Sequence, residues 1–265
     1  MVAGLESTWD ALARTLTGRA PSAFDAPTPC PGWSVRDVVS HLIGIERVIQ
    51  GEPWPEPVDP WPSHVHNELG ALNEAVVRSR RGLPGAAVLA EFVDVTGRSI
   101  ARLRALTIAD WEAVGWSPEG PRPHFRFQET RLLDSWIHLQ DVRDALLEPG
   151  DDHGAGEDVV VNRLEAALPY VWGKRVGALE GQSLRVNLVG RLTRSVSLTV
   201  VAGRAAPVEF LENAPDLEVT TPVALFWRRG AGRIGAEAFL RASATDVRGS
   251  RELATRFAEG LSVIS

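Results

Sequence analysis

At 265 residues the chain is longer than one ordinary core serves, and 44% hydrophobic with 23% charged residues describes a globular protein of two domains, not a disordered one. A net charge of -6 and a pI near 5.6, with no basic stripe, exclude the electrostatic profile of a nucleic-acid binder. No uncharged apolar run approaches 18 residues, and Glu6, Asp10 and Arg14 interrupt the N-terminal segment, so neither a membrane span nor a secretory signal is expected.

Leu5, Trp9, Leu12 and Leu16 recur at four, three and four residues and draw one apolar stripe along a first helix. Pro29, Pro31 and Gly32 then predict a turn around Cys30. As the single cysteine, Cys30 permits no internal disulfide, which fits a reducing, cytoplasmic setting. Ser34 to Asp37 reads as a capping box with Asp in place of Glu: the hydroxyl accepts an orphan amide proton, and the carboxylate suits the positive end of the helix dipole. Val35, Val38, Leu42, Ile45 and Ile49 form the expected buried face of this second helix.

A loop rich in Pro and Trp over 51–63 precedes helical patterning at 67–81. Gly82, Pro84 and Gly85 break that pattern, which returns through Val88, Phe92, Val95 and Leu103. A last long helix is predicted over 127–147, and the breaker-rich stretch 148–156 marks the boundary between domains 1–150 and 157–265. The second domain opens with a helix over about 158–179. Alternation at 183–189 and 195–201 predicts half-buried strands, 208–211 and 217–220 are shorter candidates, and helices near 222–229 and 251–261 close the chain. The expected fold class is α+β: an N-terminal helical bundle followed by a small mixed α/β domain.

Asp134, His138 and Asp141 stand at i, i+4 and i+7, within about 60° of one another on a helix at 100° per residue. Ile137 and Val142 border that arc, so the polar stripe points toward apolar surroundings, where an unsatisfied imidazole or carboxylate costs several kcal/mol. His41 falls inside the apolar arc of the second helix and faces the same requirement. Two imidazoles and a carboxylate suit Zn²⁺ or a similar divalent ion with an open coordination position. An Asp-x-x-x-His pair alone is usually a surface or hydrogen-bonded pair.

The stretch from Thr28 to Leu42 (TPCPGWSVRDVVSHL) resembles the N-terminal signature of the mycothiol-dependent maleylpyruvate isomerase family, within the DinB-like four-helix bundles. The stretch from Arg131 to Asp141 (RLLDSWIHLQD) is similar to its second signature, Glu-x-x-x-His-x-x-Asp, with Asp134 in place of the usual glutamate and about 1.5 Å less reach. The resemblance implies a divalent metal, usually zinc, held by His41, Asp134 and His138. It implies mycothiol as a low-molecular-weight thiol cosubstrate, and a C-terminal domain similar to sterol-carrier folds over 183–265. It also implies that the second domain supplies an arginine to the active site, assigned here to Arg233 in preference to Arg228 and Arg229; a surface salt bridge is the alternative for each.

Chemically, the implied activity is thiol-dependent isomerisation of, or S-transfer to, a small electrophilic substrate bearing a carboxylate. The alternative is a non-catalytic, metal-stabilised small-molecule-binding protein, with His66 as a fourth ligand. His64 and His66 read as a solvated loop pair, Cys30 as a small packed residue, and Trp54 and Trp61 as a substrate mouth or interdomain packing. Asp141 reads as an orienting partner of a ligand or as a cap on neighbouring chain.

Overall fold

The apolar stripes become helices α1 (Val2–Leu16), α2 (Val35–Ile49), α3 (Glu68–Arg78), α4 (Gly85–Arg104), α5 (Ile108–Glu112) and α6 (His124–Ala145) in the computed structural model, which describes residues 1–150 and 152–264. The chain forms two compact units, Met1–Val159 and Val160–Ser265.

In the first unit α1, α2, α4 and α6 form a four-helix bundle: α1 packs on α4 and α6, and α2 packs on the same two helices while carrying α3 on its outer side. Leu5, Leu12, Val38, Ile43, Phe92, Val95, Leu132 and Val142 fill its core. Each such side chain contributes roughly 1.5–3 kcal/mol when fully buried. The capping box at the start of α2 forms as read: Asp37 N–H donates to Ser34 Oγ at 3.3 Å, and Ser34 N–H donates to Asp37 Oδ2 at 3.0 Å. The buried face of α2 is wider than its apolar spacing predicts. Val39, Ile43 and even Glu46 are buried, whereas Ile45 and Ile49 are only partly so, because α3, α4 and α6 surround the helix. Glu46 tolerates burial by pairing with the buried Arg131 of α6, whose Nε donates to Glu46 Oε1 at 3.0 Å, and with Ser99 of α4. A two-stranded hairpin, β1 (Val114–Gly115) with β2 (Arg122–Pro123), leads into α6 and carries no sequence periodicity long enough to read.

The chain leaves this unit along α7 (Ala155–Tyr170), which ends sooner than its pattern predicts. Pro169 withdraws an amide donor from the last turn, and Val171–Arg175 forms a wider turn in which Val176 N–H reaches Val171 O at 2.8 Å. The second unit is built on five strands, β3 (Ser183–Val189), β4 (Arg194–Val201), β5 (Arg204–Val208), β6 (Leu217–Pro222) and β7 (Asp246–Gly249), in the order β5-β4-β3-β6-β7. β3 and β6 run parallel and every other pair is antiparallel. Leu184, Val186, Leu188, Leu198, Val200, Leu217 and Val219 are buried.

The strand expected at 208–211 lies instead at Arg204–Val208. Ala202 and Gly203, both at positive φ (51° and 72°), make a two-residue hairpin that pairs Val201 with Arg204 and uses up the strand by Val208. Phe210, beyond it, is exposed. Helices α8 (Val223–Gly230), α9 (Ala236–Arg241) and α10 (Arg251–Gly260) complete the unit. The architecture is α+β. Among the described residues no helix is long and apolar enough to cross a membrane.

Candidate metal centre

The turn before α2 is held by its own chain. Thr28 Oγ1 donates to Trp33 O at 2.8 Å and accepts from Cys30 N–H at 3.2 Å, while Gly32 takes a φ of 78° that side chains disfavour. This geometry sets Cys30 and Trp33 on either side of a rigid corner. Two turns beyond the cap, His41 lies 5% exposed inside the bundle.

Helix α6 supplies the opposing groups. Asp134 Oδ2 lies 3.4 Å from His41 Nε2, and Asp134 Oδ1 lies 3.5 Å from His138 Nε2. These separations exceed the best N–H···O range of 2.7–3.2 Å. The two distances run to different oxygens of one carboxylate, which lies beside both rings. The two imidazoles stand edge to face with centroids 5.0 Å apart. Asp134, with a side chain 34% exposed, is the wettest of the three. Among the described residues, His41, Asp134 and His138 form one of two groups of potential ligands whose donor atoms lie within 4.8 Å of one another. The donor set, with two ring nitrogens and a carboxylate at this spacing, fits a divalent ion, and the shorter reach of Asp134 does not prevent its carboxylate from lying near both rings.

The second group, Cys30, His138 and Asp141, shares His138 through its other nitrogen. His138 Nδ1 lies 3.0 Å from Asp141 Oδ2, and Cys30 Sγ donates to the same oxygen at 3.1 Å. Those are hydrogen-bond lengths, and Asp141 is fully buried. Asp141 thereby accepts from His138 Nδ1 and leaves Nε2 turned toward Asp134. Burial opposes charge on His138. The charge of Asp134 and the hydrogen bonds to Asp141 and Cys30 outweigh it and push its pKa up to about 10 in the metal-free protein.

His41 has no such anchor: its buried Nδ1 has no hydrogen-bond partner among the described residues. The indole of Trp33 lies against it instead, with centroids 5.2 Å apart, and reaches His138 at 6.2 Å. Trp33 Nε1–H donates to Glu74 Oε2 at 3.0 Å. Glu74, on α3, is a carboxylate that sequence reasoning missed. Burial opposes its ionisation, but hydrogen bonds from Trp33, His64 and Arg81 outweigh that cost and hold its pKa below the usual carboxylate range.

The remaining candidates separate cleanly. His64 pairs with Glu74, at 3.2 Å, while His66 is exposed; neither joins a metal-ligand group among the described residues. Trp54 is half-buried and Trp61 exposed. In the second unit, Arg229 is buried and donates to the carbonyls of Ala258, Ile234 and Glu259, a structural use. Arg228 lies over the Trp227 ring at 4.4 Å, and Arg233 Nη1 donates to Ala231 O at 2.7 Å.

A helical bundle carrying this two-histidine, one-aspartate cluster, followed by a mixed α/β unit, defines a class of protein with known relatives. Residues 5–143 match the family described as the mycothiol maleylpyruvate isomerase N-terminal domain, and the chain belongs to that family. Two uncharacterized proteins of Mycobacterium tuberculosis, from strains CDC 1551 and H37Rv, are each 26% identical to it over 147 residues, 55% of this chain and 56% of theirs. The chain thus spans just over half the length of the curated relatives it matches. The crystal structure of the mycothiol-dependent maleylpyruvate isomerase superposes with a TM-score of 0.57 over 93% of this chain and 90% of that one, at 19% identity, a likeness of fold.

Proposed function

We propose that this protein is a metal- and mycothiol-dependent enzyme, an isomerase or S-transferase acting on a small electrophilic substrate that bears a carboxylate. The observation that carries the reading is the convergence of two ring nitrogens and a carboxylate: ligand atoms of His41, Asp134 and His138 lie within 4.8 Å of one another, and the Asp134 oxygens lie 3.4 and 3.5 Å from the two Nε2 atoms, too wide for the best hydrogen bonds. Membership of the mycothiol maleylpyruvate isomerase family supports the choice of thiol and reaction class. Zinc or a similar divalent ion held there would stabilise a coordinated thiol as the thiolate.

The chain's own residues divide the remaining work. Asp141 keeps the proton of His138 on Nδ1, so that Nε2 faces the ion. Asp134, partly exposed, marks the side from which small molecules reach the ligands. Arg233 is assigned to the substrate carboxylate, because a guanidinium can bind it through two parallel hydrogen bonds.

The test is calorimetric. Adding mycothiol to zinc-loaded protein should release a proton, detected by repeating the titration in buffers of different ionisation enthalpy; chelated protein should release none. Arg233→Ala should bind mycothiol as the native protein does and lose turnover of a carboxylate-bearing electrophile. Zinc-loaded protein that neither binds mycothiol nor releases a proton would end the thiol-dependent reading in favour of a metal-stabilised binding protein.

A further inference from the structure

The two imidazoles of the metal centre are held in different ways. His138 is fixed by a carboxylate on its own helix, the ordinary arrangement for a metal-binding histidine, whereas no protein group hydrogen-bonds His41 Nδ1 among the described residues. Besides His138 and Asp134, the tilted indole of Trp33 packs against the His41 ring. An indole packed against an imidazole orients it only if the indole is itself held, and Trp33 sits at a corner of the chain, partly exposed.

Its anchor is Glu74. This carboxylate is 1% exposed and gathers three donors: Trp33 Nε1 at 3.0 Å, His64 Nε2 at 3.2 Å and Arg81 Nη1 at 2.7 Å. Arg81 continues the chain of contacts, since its Nε donates to Asp37 Oδ1 at 3.1 Å. Asp37 is the third residue of α2, the carboxylate of its capping box, and stands one turn before His41 on the same helix. Glu74 therefore reaches His41 by two routes, through the Trp33 ring and through the first turn of the helix that carries it. His64 closes the corner from outside: its ring occupies the space a side chain at residue 32 would need, with a Cβ on Gly32 falling 2.6 Å from His64 Nδ1.

We propose that Glu74 is the positioning residue for His41, acting through Trp33 and through Arg81 and Asp37 to aim an imidazole whose Nδ1 has no hydrogen-bond partner among the described residues. The assignment rests on His41, Asp134 and His138 binding a metal. Glu74→Gln preserves shape and can still accept from Trp33, but it sets an amide against Arg81 and removes the charge that gathers the donors. Trp33→Phe keeps a ring and removes the donor.

The experiment is competition for zinc against a chromophoric chelator, with native protein, Glu74→Gln, Trp33→Phe, the double variant and Glu91→Gln as control. Glu91 is the partly buried α4 carboxylate that pairs with Arg47 and Arg80, so it removes an ion-pair network of similar kind. Glu74→Gln should weaken zinc binding by about 3–10-fold, below the roughly 10–100-fold range for a group bonded directly to a metal ligand. Trp33→Phe should weaken it less, and the double variant should lose less than the two single losses added, because Trp33 lies on one of the two routes through which Glu74 acts. Glu91→Gln should leave zinc affinity within about twofold while lowering metal-free thermal stability as much as Glu74→Gln does. Native-like zinc affinity in Glu74→Gln, or an equal loss in Glu91→Gln, overturns the assignment and leaves the metal site standing. Failure of the native protein to bind zinc overturns the metal reading and this inference with it.

Discussion

Gly44 lies in the middle of α2, where glycine costs a helix about 0.5–1 kcal/mol relative to alanine. From helix propensity alone, Gly44→Ala should stabilise the protein by that amount. The structure reverses the sign. A Cβ at residue 44 would stand 2.0 Å from Val76 Cγ1, 2.8 Å from Cγ2 and 2.9 Å from Cβ, all on α3. Carbon atoms settle at about 3.5–4.0 Å, so the two helices would have to separate by roughly 1.5 Å. Val76 cannot turn aside, because a β-branched side chain in a helix has one strongly preferred rotamer and three of its atoms lie in the way. Overpacking of this kind costs about 1–3 kcal/mol, and the net expectation is a destabilisation of roughly 1–2 kcal/mol.

The clash also predicts its own rescue. Val76→Ala alone should destabilise by leaving a cavity, yet in that background Gly44→Ala should be neutral or stabilising. Urea denaturation of chelator-treated protein, followed by far-ultraviolet circular dichroism, gives the four stabilities of this cycle. Because α3 also carries Glu74, Gly44→Ala should weaken zinc retention as well. A higher urea midpoint for Gly44→Ala in the otherwise native protein would refute the close α2–α3 contact from which this reasoning starts.

Zinc content measured by elemental analysis should be about one ion per chain, and His138→Ala should abolish it, since one of three ligands is lost. Retention of full occupancy by the His41→Ala/His138→Ala variant would remove the site. Asp134→Asn should weaken zinc more than Asp134→Glu, because the amide loses the anionic donor and the glutamate keeps it; equal affinity in Asp134→Asn and native protein would show that the carboxylate does not coordinate. Metal-free protein should also lose stability as pH rises. Asp134 and Asp141 on α6, Cys30 in the turn and His41 on α2 face His138, whose folded pKa of about 10 lies above the ordinary 6.5. The contribution is complete below pH ~6.5 and is lost as pH climbs through ~10, with a ceiling of about 5 kcal/mol. The native-minus-His138→Gln difference in urea stability reads it, and a flat difference between those limits contradicts the pairing.

The local parts of this protein were legible in one dimension. Ser34 and Asp37 announce the start of α2, the spacing of Leu5, Trp9, Leu12 and Leu16 announces α1, and alternation announces β3 and β4. Each signal depends on residues within one or two turns of one another, where backbone geometry alone decides who is neighbour to whom. The same logic placed Asp134, His138 and Asp141 on one face of a helix. Only the tertiary structure separated their parts, turning Asp134 toward His41 and burying Asp141 beneath His138 Nδ1. It alone also moved β5 to Arg204–Val208, through a hairpin whose register depends on β4. Glu74 shows the limit most plainly. On α3 it reads as one more charged residue of an amphipathic helix, and nothing near it in the chain marks it as buried. Its partner Trp33 is 41 residues away, and a contact between two helices' loops and faces at that distance leaves no period in either segment. Packing decides it, because the cost of burying a carboxylate is met only where three donors from separate stretches of chain converge.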